Sequence, residues 1–115
     1  MFSTFSIWLG VTFPEMPPAI ALDCPAVLIT VDGVLAAVKP EEPGAKTFTL
    51  KELQGYVGGY IEVVSFKHGL LVVDEEGKLK HAPINRAATH FLKSLLRRGD
   101  FLVGNVLIVK KDAVA

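Results

Sequence analysis

The chain contains a single cysteine, Cys24, so no intramolecular disulfide framework can form, and such usage suits a reducing compartment. It has no surplus of charge, with twelve Lys and Arg against twelve Asp and Glu. A general nucleic-acid or membrane-surface binder normally carries a basic excess, so strong duplex binding is not expected and any such role must come from local clustering. The chain also has no apolar run suited to crossing a bilayer. Its most apolar stretch, "MFSTFSIWLGVTFPEMPPAIALDCP", is short and interrupted by Pro14, Pro17 and Pro18. That stretch lacks the basic start of a secretory signal, and a cytoplasmic location is the expectation. Phosphate-binding glycine loops, a GxGxxG turn and HExxH are all missing. His68, His81 and His90 lack metal-ligand spacing, so no metal or cofactor is expected. Ser65 and Ser94 have no nucleophile-elbow context, and Cys24 sits beside Pro25, so no catalytic residue is assigned.

What is present describes a globular domain. Half of the 115 residues are apolar and about a fifth charged, enough for one core and too apolar for disorder. Residues 1–25 read as an apolar extension, either a strand or assembly segment or residues upstream of a start at Met16, and residues 26–112 read as the domain. "AVLITVDGVLAAVKP" predicts a hairpin about Asp32-Gly33, a dipeptide suited to positive φ at both turn positions. Thr49 and Glu52 have capping-box spacing, and Leu50, Leu53 and Val57 share a face, predicting a short helix over Leu50–Tyr56 that Gly58-Gly59 ends. "YIEVVSF" and "LLVVD" predict a second hairpin across Lys67-His68-Gly69. "FLVGNVLIV" reads as a strand in which Gly104-Asn105 is a bulge or a turn.

"INRAATHFLKSLLRRGD" predicts the main amphipathic helix, Ala87–Leu96. Asn85 is its cap, Gly99 its stop, and Ala87, Ala88, Phe91, Leu92, Leu95 and Leu96 form its buried stripe. Arg86, His90, Lys93 and Arg97 fall on the other side at ~100° per residue. From Lys78 to Gly99 there are six Lys and Arg and no acid. This points to an anion site where the helix begins: Asn85 sets the end, and Arg86, Lys80, His90 and Lys93 contact the ligand. The plainer alternative is a solvated basic face. In "YIEVVSF", Glu62 shares a face with Tyr60, Val64 and Phe66. It is either a wet position or a carboxylate that orients a ligand, with a hydrolase pairing Glu62 with His81 or His90 as the third reading.

"VGGYIEVV", "EEGKL", "PINRAAT" and "GDFLVGNVLIV" together resemble the phage and plasmid family called domain of unknown function 3846, over about Ala26 to Lys110. The pattern residues here are Gly58, Gly59, Tyr60, Glu62, Asn85, Arg86, Thr89, Asp100 and Gly104. The resemblance implies a mobile-element setting in a host cytoplasm and no activity. Asn85 could equally be a structural cap, with Arg86 pairing Glu62 or Asp100.

The expected architecture is α+β, with a mostly antiparallel sheet of about five strands. The Ala87–Leu96 helix packs on one face and the shorter helix at an edge. Exposed strand edges and the aromatic extension predict a homo-oligomer. The expected function is that of a small non-enzymatic accessory binding protein, with counter-defence as one setting. Its partner would be a phosphate-containing small molecule or an acidic host protein. The alternative is an interaction or oligomerisation module.

Overall fold

Two hairpins and a later strand that separates them make the framework. The computed structural model describes residues 24–67 and 69–114. Readings that concern residues 1–23 or His68 lie outside the described residues. The strands are β1 (Ala26–Ile29), β2 (Leu35–Val38), β3 (Ile61–Phe66), β4 (Gly69–Asp74) and β5 (Val106–Val109). They form one five-stranded sheet in the order β2-β1-β5-β4-β3, antiparallel at every pairing. With two helices added, the fold is α+β, as the patterning indicated.

The sheet is covered on both faces. Val27, Ile29, Leu71, Val106 and Ile108 point to one side and pack against Ala87, Ala88, Phe91 and Leu92. Ala26, Val72, Leu107 and Val109 point to the other and pack against Phe48, Leu53, Val57 and Ala113. All four residues of β5 are therefore buried, which is why "VLIV" shows no polar alternation.

Helix α1 (Leu50–Val57) begins with a complete Thr49–Glu52 capping box and ends at Gly58 in the left-handed conformation. The expectation that it lies at an edge is corrected. Leu53 and Val57 are buried over β4 and β5, so α1 roofs the face opposite the other helix. Leu50, in its first turn, is 59% exposed instead of joining that face.

Helix α2 (Arg86–Phe91) is six residues long, where the periodicity predicted a helix to Leu96. A 3₁₀ turn, Lys93–Leu95, follows it. The chain must return so that Leu102 can donate its N–H to Thr89 Oγ1 and accept one from Asn85. Five further helical residues would carry it about 7.5 Å along the axis and away from that anchor. Leu95 is consequently 37% exposed and Leu96 half-buried, while Ala87, Ala88, Phe91 and Leu92 are buried as the stripe requires.

The first hairpin also differs in detail. Gly33 has positive φ but Asp32 does not. Thr30 O accepts from Gly33 N, and Thr30 N donates to Val34 O, which is a three-residue turn with glycine at its left-handed position. Gly104-Asn105 separates an isolated Ile84–Val103 bridge from β5 and is not the tip of a hairpin.

Candidate functional site

Asn85 is fully buried, and its polar groups are spent within the fold. Its Oδ1 accepts from Ala88 N at 2.9 Å, capping α2. Its Nδ2 donates to Ile29 O at 2.9 Å and to Gly104 O at 2.8 Å. The side chain thus joins β1, α2 and the entry to β5. Thr89 completes the knot by donating its hydroxyl to Asn85 O at 2.8 Å. Asn85 sets the helix end as expected, but it offers no donor to a guest there.

Two of the six cations between Lys78 and Gly99 have internal partners. Lys80 Nζ lies 2.6 Å from Asp74, whose side chain is only 7% exposed, and 3.3 Å from the Gly58 carbonyl at the end of α1. A Cβ on Gly59 would sit 2.8 Å from that ammonium and 3.1 Å from the Asp74 carboxylate oxygens, so a larger residue there would make the ion pair shift. Burial pushes the Asp74 carboxyl up. The Lys80 hydrogen bond, the Glu76 amide and the Lys80 charge outweigh it and hold the group below the usual range. Lys78 pairs with Asp100 and stands 4.8 Å over the Phe101 ring. The Lys78 hydrogen bond, then the Phe101 amide, hold Asp100 below the usual range as well. Asp100 therefore pairs with Lys78 instead of Arg86, and Glu62 forms no ion pair among the described residues.

Arg86, Lys93, Arg97 and Arg98 are exposed and form no ion pair among the described residues. They do not make one helical stripe, since Lys93 lies in the 3₁₀ turn and the two arginines lie beyond it. His90 is exposed at the end of α2 with its ring edge-on to Phe91, and His81 closes the preceding turn at φ 57°. The anion-contact set is thus dispersed: Lys80 is held near α1, Asn85 is interior, and Arg86, His90 and Lys93 face solvent.

A second region is assembled by β3. It is the outermost strand on its side, and Glu62, Val63, Val64 and Ser65 are all exposed. Tyr60 O accepts from Glu75 N. Because antiparallel pairs alternate, Glu62 and Val64 direct their backbone groups to β4, while Ile61, Val63 and Ser65 direct theirs outward. No described strand takes those outward groups.

Glu62 pairs with Val73 and Val64 with Leu71, so both project on the α2 side. There they line a cleft of about 260 Å³ with Leu79, Leu95, Phe101 and Val103. Leu79 is 80% exposed, whereas Tyr60, 68% exposed, lies outside this cleft and lines a separate shallow concavity with Lys51, Gln54 and Lys80. The acids at this cleft are Glu62, Asp74, Glu75 and Asp100, against one lysine lining it, Lys78. Sequence reasoning reached Glu62 but missed Leu79, Phe101 and the outward parity of β3, and the Tyr60 that it grouped with Glu62 lies outside the cleft. The alternation of "YIEVVSF" carried the parity, but the strand order that exposes it is a long-range property.

A family model described as "Domain of unknown function (DUF3846)" matches residues 30–114. A search of the curated proteins finds no match, and a search of the solved structures finds none. The chain belongs to that family.

Proposed function

We propose that this domain is a non-enzymatic interaction module that takes an extended segment of a partner protein onto β3. The observation that carries the reading is the outward-facing ladder of Ile61, Val63 and Ser65 beside an apolar cleft. Strand addition draws affinity from main-chain bonds and specificity from side-chain positions on alternate residues. An accessory role in a mobile element, counter-defence included, fits a small domain that works by holding a partner. The test is selection of displayed peptides on the wild-type protein. Extended, β-branched sequences should emerge, and they should lose binding to Val63→Pro, which blocks the outward ladder. Selected peptides that bind Val63→Pro equally well would reject the reading.

A second reading rests on exposed cations that form no ion pair among the described residues. Arg86, Lys93 and Arg98 are exposed basic groups that an acidic partner could meet, whereas the charge of Arg97 already acts on Asp100. A thermal shift with phosphorylated ligands that disappears in Arg86→Ala would support it.

A further inference from the structure

The partner strand has a chemistry that β3 itself dictates. Resting on the strand-acceptor reading above, we infer that the occupant carries a basic residue opposite Glu62 and a bulky apolar residue opposite Val64.

The argument starts from hydrogen-bond parity. Glu62 and Val64 spend their backbone groups on β4, so toward an added antiparallel strand they occupy non-hydrogen-bonded positions. Side chains at such positions approach most closely, with Cα atoms about 4.5 Å apart. The residues that face Glu62 and Val64 are therefore the ones the acceptor reads most directly. Both lie on the side that carries the cleft.

The two positions differ in chemistry. Glu62 is an exposed carboxylate with no hydrogen bond or ion pair of its own among the described residues. Asp74 and Asp100 at the same cleft are already matched to Lys80 and Lys78, which leaves Glu62 and Glu75 without a cation among the described residues. An arriving lysine or arginine meets complementary charge, and an arriving acid meets like charge. Val64 lines the cleft with Leu71, Leu79, Leu95 and Phe101, so an apolar side chain opposite it extends that wall.

A second copy of β3 answers these demands poorly. Matching outward groups to outward groups permits a two-fold axis at Val63, which sets Glu62 opposite Val64 and diagonal to the other Glu62. It also permits one at Val64, which sets Glu62 opposite Phe66. Neither register gives Glu62 a cation, and the carboxylate acts as a guard against self-pairing.

The experiment uses three synthetic strand peptides that differ only at the position opposite Glu62, bearing Lys, Gln or Glu, each with Leu opposite Val64. Binding is read by fluorescence anisotropy at low salt. The expected result is that the Lys peptide binds wild type about 10-fold more tightly than the Glu peptide. The order should invert on Glu62→Lys. Val63→Pro and Ser65→Pro, both at outward-facing amides, should abolish binding of all three. Equal affinities that the proline variants still abolish would overturn the charge rule and leave the strand-acceptor reading standing. No binding, or binding indifferent to both prolines, would overturn the two together. A dimer that sedimentation detects in wild type and that Val63→Pro dissociates would overturn the choice of partner.

Discussion

The two margins of the sheet are built differently. β2 is four residues, "LAAV", three of them half-buried, and it runs into Lys39-Pro40. β3 is six residues, rich in β-branched side chains, with its middle four exposed. Brevity and a following proline limit what can add to β2, whereas a single carboxylate, Glu62, interrupts an otherwise inviting β3. Among the described residues the sheet therefore has one short margin and one longer, more exposed margin, and the proposed strand acceptor is the second.

That contrast depends on a shared centre, so the largest expected effect comes from removing it. Asn85→Ala strips donors from Ile29 O and Gly104 O and the cap from Ala88 N. It should cost about 3–5 kcal/mol in urea unfolding. Amide exchange should accelerate alike in β2 and β3, since neither margin owns the residue.

Proline scanning separates the margins residue by residue. Val64→Pro removes a bond to β4 and should cost about 3 kcal/mol, whereas Val63→Pro removes none and should cost about 1 kcal/mol. On β2 the same alternation runs from the Thr30–Val34 bond. Ala36→Pro should be the costly change and Ala37→Pro the mild one, and Ala37→Pro should leave peptide capture by β3 intact. Equal costs at Val63 and Val64 would refute the assigned parity.

Acid should loosen both margins through different carboxylates. Asp74 anchors the β3 side through Lys80. Glu52 accepts from Glu41 N, in the segment after β2. The amides of Thr49 and Glu41 hold Glu52 below its usual range. Folded values depressed below the unfolded ones mean the contribution is complete above about pH 5. It is lost as pH falls through the unfolded and then the folded values. Stability measured from pH 6 to 2.5 should decline at the acid end, and less steeply in Asp74→Asn, which should also cost about 1–3 kcal/mol at neutral pH.

The smallest effect should fall away from both margins. Thr49→Ala removes the cap of α1 and should lower stability by about 1 kcal/mol. It should not alter exchange in β2 or peptide binding at β3.

Local patterning was enough for the two hairpins, the capping box, the Gly58 stop and the Asn85 cap. Each depends on neighbours within a few residues of sequence. Three properties had distant causes. The length of α2 is set by the return of Leu102 to Asn85, and α1 finds its face through Val72, Leu107 and Val109. The exposure of β3 follows from β5 inserting on the far side of β4. The same limit governs the candidate site. Glu62 and Tyr60 were visible as one face of a strand, but the pairing of Lys80 with Asp74 brings together residues of a turn and a strand end, and no periodicity announces it.

The position of β5 has a consequence for synthesis. It is the last of the five strands to be translated and the middle one in space. The two hairpins emerge from the ribosome earlier, each with one flank meant for β5 and nothing yet to place there. Until residues 106–109 are made, neither hairpin has its central neighbour, so the sheet cannot close and its pairing depends on the latest of the five strands.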